Sequence, residues 1–301
     1  MHRCGTSFLA GALRFLGVSL GDPDRLMRPG WDNPAGYFEI QAMMELNQEV
    51  LAHLGGGWDQ PPVLDSGFEL DPGLDEFRDR AAAIIDETFG PATARPAVIG
   101  WKDPRLSLLL PFWRTVVPIA TTIVMVRDPL EVAASLGARL YRVDAPQAAA
   151  LWLRYLYAAA ANDPGHLVVR YRDVFEDLPG TLSRVARHLG LAGPSDDVLA
   201  EARATLDPDL RHHDAASLGP EPENPLMAVA EAVWSDGAMD FTALPPVVAT
   251  AFARGWLRPP LDGELLARAR AEATALRETL RRKNRQLAEL APAAEAPDAA
   301  Q

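Results

Sequence analysis

Six stretches of the chain carry apolar residues at three- and four-residue spacings, which places them on one face of a helix. They are Phe8–Leu16, Ile40–Leu54, Leu74–Phe89, Leu130–Leu140, Ala145–Ala161 and Leu178–Leu189. Three short β-branched runs, Ala97–Trp101, Thr121–Val126 and Leu167–Tyr171, predict buried parallel strands. Helices alternating with such strands predict an α/β fold. Gly55–Pro72 is rich in Gly, Pro and Asp, and Asp207–Pro225 is rich in acids and proline, so both predict loops.

Past Asp262 the pattern changes. Leu266, Ala269, Ala273, Leu276, Leu280, Leu287 and Leu290 predict one long helix, with Lys283 interrupting its apolar seam. Such a helix either pairs in a coiled coil, making an oligomer, or packs back on its own domain. The Ala/Pro/Glu-rich residues Ala291–Gln301 predict a disordered tail. The expected organisation is therefore an α/β domain over 1–206, a loop and helical segment completing it over 207–260, the long helix over 261–290 and the tail over 291–301.

Composition narrows the picture. With 301 residues, 48% of them hydrophobic, the chain can bury one sizeable core. It has no run of eighteen apolar residues and no signal-peptide pattern, which predicts a cytoplasmic protein without a transmembrane segment. Cys4 is the only cysteine, so no intramolecular disulfide can form. The net charge of -12 argues against a general nucleic-acid binder. An anionic ligand would need positive charge gathered at one site. Lysine occurs only at Lys102 and Lys283, and the remaining cations are arginines, which suit bidentate phosphate contacts.

Four segments carry candidate chemistry. His2-Arg3-Cys4-Gly5-Thr6-Ser7 is a small-residue turn feeding a helix, which exposes backbone N–H groups to an anion. It lacks the Gly-Lys-Ser/Thr of a Walker A loop. Trp101-Lys102-Asp103-Pro104-Arg105 closes a predicted strand with a cation, where ligands of open α/β sheets bind. In Thr121–Ser135 a second strand ends at Arg127, Pro129 can open the next helix, and Ser135 follows two turns on. Trp31-Asp32-Asn33-Pro34-Ala35-Gly36-Tyr37-Phe38-Glu39 is an aromatic turn that ends in a carboxylate at a helix start. Taken singly, each has a bland alternative: an N-cap, a local ion pair, a capped helix, a first-turn Glu complementing the helix dipole.

Together the segments resemble the bacterial branch of the sulfotransferases that use 3′-phosphoadenosine 5′-phosphosulfate (PAPS). The resemblance rests on Arg3-Cys4-Gly5-Thr6-Ser7, Asn33-Pro34-Ala35-Gly36-Tyr37-Phe38-Glu39, Lys102-Asp103-Pro104-Arg105, Arg127 with Ser135, and Val169-Arg170-Tyr171-Arg172-Asp173, in that order from Met1 to about Gly190. It implies a P-loop-like three-layer sandwich with a central parallel sheet, to which the C-terminal helix is an extension. Arg3, Cys4, Gly5, Thr6 and Ser7 would hold the donor's 5′-phosphosulfate, Arg127 and Ser135 its 3′-phosphate, and Tyr171 would approach the nucleotide. Lys102 matches the position that faces the sulfuryl group, and Glu39 is the candidate base. Cys4 stands where relatives more often have Ser. Relatives also carry an apolar central strand just before the loop, so the natural protein is expected to begin upstream of Met1.

The implied reaction is a metal-independent in-line transfer of a sulfuryl group to a hydroxyl or amine of a small molecule, carbohydrate or lipid. Two other readings compete. A P-loop-type kinase would need a Walker A lysine, and Asp128 would have to serve Mg²⁺. A nucleotide-binding or scaffold module would use Asp262–Leu290 to engage a partner.

Overall fold

The computed structural model describes residues 1–30, 33, 36–91, 93, 94, 96–138 and 143–206, together with 227, 230, 231, 233 and 234. By its internal contacts the chain divides into Met1–Leu257 and Arg258–Gln301, and every described residue lies in the first unit. The expected long helix over 261–290 and the tail lie outside the described residues, as does nearly all of 207–260.

The described helices in chain order are α1 (Thr6–Phe15), α2 (Gln41–His53), α3 (Asp75–Phe89), α4 (Leu106–Arg114), α5 (Pro129–Gly137), α6 (Ala145–Asn162), α7 (Tyr171–Glu176), α8 (Leu178–His188) and α9 (Asp196–Thr205). The two strands are β1 (Ile123–Val126) and β2 (Leu167–Arg170). They pair in parallel, from Ile123 opposite Leu167 to Val126 opposite Arg170. The six helices expected from periodicity all form, with ends within a few residues of the expected ones. Caps fix several of the starts. Asp128 accepts from the N–H groups of Leu130 and Glu131 ahead of α5, and Asp144 accepts from Gln147 N ahead of α6.

Three expectations change. Ala97–Trp101 is not a strand among the described residues, and only Ile99 pairs, in a parallel bridge with Ser19. A strand persists only where a neighbour takes up its hydrogen bonds, and Ser19 alone supplies them to Val98 and Gly100. Tyr171, expected to end a strand, instead starts α7. The α4 helix was not expected, because its run is apolar all round and contains Pro111. The proline removes the N–H that would bond the Ser107 carbonyl. Asn162 Nδ2 donates to that carbonyl instead, at 2.9 Å, so the turn keeps its bond.

The core centres on α6, which packs against α4, α5 and β1, with Trp113, Trp152 and Tyr155 fully buried. Trp152 Nε1 donates to the Arg127 carbonyl at 2.9 Å, fixing the carboxyl end of β1. Among the described residues, no helix is long and apolar enough to cross a membrane.

Candidate active site

The loop Met1–Gly5 lies beside the carboxyl end of β1. Arg3 and Gly5 both have positive φ, 64° and 82°. Glycine adopts such a φ without strain, whereas an arginine pays for it, and such strain gathers at functional sites. Gly5 is also required by space: a Cβ there would sit 2.2 Å from Cδ2 of Tyr171. The loop is therefore pressed against the Tyr171 ring, with no room for a side chain. Gly5 caps α1, which has no side-chain cap and no acidic residue in its first turn. The helix therefore supplies no carboxylate of its own to the positive end of its dipole.

Basic side chains gather around this loop. Arg3 Nε donates to Ser135 Oγ at 2.8 Å, which ties the loop to α5. Arg127 Nη1 lies 3.5 Å from the Arg3 carbonyl oxygen, and its guanidinium sits 4.6 Å above the Tyr171 ring centre. Burial and the adjacent Arg127 push the Arg3 pKa down, the mark of two cations held close together. The structure thus brings Arg3, Gly5, Arg127, Ser135 and Tyr171 into one cluster. Glu131 joins them unexpectedly: its carboxylate is 2.6 Å from Arg127 Nε, and both side chains are buried. Its one sequence signal is its place four residues after Arg127.

Two loop residues stand differently. Cys4 is wholly buried in the apolar core, so its thiol is pushed up in pKa and kept from the site, and only its backbone can face an anion. Ser7 Oγ donates to the Tyr37 carbonyl at 3.2 Å and accepts from Asn33 Nδ2 at 3.1 Å. This binds the aromatic turn to α1. Thr6 is half-buried at the helix start.

The same turn delivers Glu39. Phe38 takes a positive φ of 53° and packs its ring over Gly11, and Glu39 follows with 8% of its surface exposed. Lys102 Nζ donates to Glu39 Oε1 at 2.5 Å, and Arg105 Nη1 lies 3.9 Å from Oε2. Burial pushes the Glu39 pKa up, with Lys102 opposing the rise and Asp103 adding to it. Behind the pair runs a buried relay. Arg105 Nη1 donates to Asp103 Oδ1 at 2.9 Å, Asn47 Nδ2 to Asp103 Oδ2 at 2.9 Å, and Trp113 Nε1 to Asn47 Oδ1 at 2.8 Å. The sequence reading missed Asn47 and Trp113. Asn47 had a signal, since it is a polar residue on the apolar stripe of α2 otherwise made by Met43, Leu46, Val50 and Leu51.

The site therefore joins a helix start without a side-chain cap and two neighbouring arginines to an aromatic turn that carries a buried carboxylate–lysine pair. The chain belongs to the sulfotransferase family, whose family model matches residues 1–196. No curated protein and no solved structure matches it significantly. Among the described residues no group of three or more His, Cys, Asp and Glu is placed to hold a metal ion.

Proposed function

We propose that the protein transfers a sulfuryl group from PAPS to a hydroxyl or amine of a small acceptor, in an α/β sandwich of the P-loop-like type. The observation that carries the reading is the placement of two clusters on one loop system. Arg3, Arg127 and Ser135 gather at the start of α1, and Glu39 with Lys102 follows the aromatic turn that Ser7 holds. The close approach of Tyr171 to Gly5, which leaves no space for a Cβ there, supports this reading of the loop as a tight backbone turn.

In this reading the N–H groups of the loop and α1, with Arg3, hold the donor's 5′-phosphosulfate, and Arg127 and Ser135 hold its 3′-phosphate. When bound, the donor supplies the sulfuryl group and a nucleotide phosphate as leaving group. Glu39 accepts the acceptor's proton as the new bond to sulfur forms. Burial raises its pKa, which makes the carboxylate a stronger base than an exposed one. Lys102 offers its charge to the oxygens around sulfur, and the helix start offers its dipole to the departing phosphate. Arg105 and Asp103 keep Glu39 and Lys102 in place.

The test is incubation with PAPS and a library of hydroxyl and amine acceptors, read by mass spectrometry. We expect a sulfated product that persists in a metal chelator and disappears in Lys102→Ala. Binding of the product nucleotide without any turnover would support a binding module instead, and Mg²⁺-dependent ATP turnover would support a kinase.

A further inference from the structure

A carboxylate stands inside the cluster of cations at the loop. Glu131 Oε2 is 2.6 Å from Arg127 Nε, and the side chains of Arg127 and Glu131 expose only 7% and 6% of their surface. Stability is a weak reason for such a pair, because apolar residues of the same volume commonly serve a buried position as well or better. Anion binding by itself is no reason, since a carboxylate beside a cation cancels part of its attraction for a phosphate. What the carboxylate does supply is direction.

The contacts of Arg127 fix different freedoms. Its carbonyl accepts from Trp152 Nε1 at 2.9 Å, which holds the backbone at the carboxyl end of β1. Its guanidinium sits over the Tyr171 ring, 4.6 Å from the ring centre, which sets its height above the ring. A ring face has no preferred direction within its own plane, so this contact leaves the guanidinium able to slide and turn. Glu131 removes that freedom, because a charge-assisted hydrogen bond at Nε has a preferred line. The first turn of α5 holds Glu131 ready for this, with its N–H and that of Leu130 both capped by Asp128. With Nε committed to Glu131, Arg127 meets an incoming anion with its Nη groups. Nη1 lies 3.5 Å from the Arg3 carbonyl oxygen, and Arg3 is itself tied to Ser135, so the Nη groups are turned towards the loop.

We propose that Glu131 is a positioning residue that sets donor selectivity: it holds the Arg127 guanidinium in the orientation that grips a nucleotide's 3′-phosphate, so that the site separates a nucleotide 3′,5′-bisphosphate from a 5′-monophosphate. The inference rests on the donor reading above and adds to it the group that aims Arg127. Glu131 acts through Arg127 alone. Its negative charge opposes the phosphate, and its acceptor oxygen outweighs that by keeping the Nη groups where the phosphate must sit.

The experiment measures, by calorimetry on the full chain, the affinities of adenosine 3′,5′-bisphosphate and adenosine 5′-phosphate, and takes their ratio. Glu131→Gln keeps an oxygen that can accept from Nε and loses the charge. Glu131→Asp keeps the charge and withdraws the oxygen by one methylene. Glu131→Met fills the space and offers no oxygen. We expect Glu131→Gln to keep the ratio. In Glu131→Asp and Glu131→Met it should fall by about tenfold or more, with the bisphosphate losing affinity and the monophosphate keeping it. If Glu131→Met does not fold, the Asp and Gln substitutions carry the same comparison. A pair that served stability alone would lower the thermal midpoint of the variants and leave the ratio unchanged, which would overturn the proposal. So would a loss in Glu131→Gln as large as that in Glu131→Asp, since charge and not aim would then be at work. A parent chain that binds both nucleotides equally would overturn the donor reading and this inference with it. A parent chain that prefers the bisphosphate, with every variant keeping that preference, would overturn the inference alone.

Discussion

Removing the Lys102 charge tests the Glu39–Lys102 pair as both a structural and a chemical unit. In Lys102→Met the stem volume is kept and the ammonium is lost. Glu39 then stays buried, with Asp103 nearby and only Arg105, at 3.9 Å, to compensate it. Breaking a buried ion pair at one partner costs about 3–5 kcal/mol. The two side chains retain 12% and 11% exposure, so we take the low end, about 3 kcal/mol. For a domain of this size that is a fall of roughly 6–12 °C in the thermal midpoint. Sulfuryl transfer should fall by about 10²–10³, the usual cost of one preorganised contact. Lys102→Met with Glu39→Gln should recover part of the stability, roughly 1–2 kcal/mol, because no buried carboxylate is stranded. It should recover no activity. Urea unfolding and product formation under saturating donor measure the two effects separately. If Lys102→Met changed stability by less than about 0.5 kcal/mol, and the two substitutions were additive, the pair would not be the coupled unit argued above.

Three more outcomes are expected. With Glu39 as base, turnover should drop as pH falls through its raised pKa. The acid limb of the profile should therefore lie above the ordinary carboxylate value of about 4.3, and a profile flat down to that value would rule Glu39 out. Gly5→Ala must push the Tyr171 ring aside and hold alanine at φ 82°, so product-nucleotide affinity measured by calorimetry should weaken by about tenfold or more. Asn47→Ala leaves Asp103 Oδ2 and Trp113 Nε1 short of a partner in the core. Roughly 3 kcal/mol of stability should be lost in urea unfolding, with little change in donor affinity.

Much of the molecule was legible along the chain because the rules involved are local. A period of three to four apolar residues sets a helix face, so α1, α2, α3, α5, α6 and α8 could be placed from spacing alone. Pro129 after Asp128 announces a capped helix wherever it stands, and α5 begins there. The candidate residues Arg3, Glu39, Lys102, Arg127, Ser135 and Tyr171 also lie in short motifs, so they could be singled out as expectations before any coordinates.

What the chain alone left undecided depends on neighbours distant in sequence. Ala97–Trp101 has the composition of a strand, but the hydrogen bonds of a strand come from another segment, and only Ser19 supplies them. Pro111 speaks against a helix until Asn162, 55 residues beyond Ser107, arrives to bond the carbonyl that the proline frees. Arg127 offers a charge to any anion by its sequence, yet in the fold it already holds Glu131 and stacks on Tyr171. Glu39 and Lys102 are 63 residues apart, and their contact at 2.5 Å exists because the strained turn at Phe38 and the Asp103–Asn47–Trp113 relay carry them to one place. Sequence determines periodicity, caps and the chemical inventory, since these act within a few residues. Burial, charge pairing and pKa are set by whichever groups the tertiary structure packs alongside, because desolvation and Coulomb forces depend on distance in space.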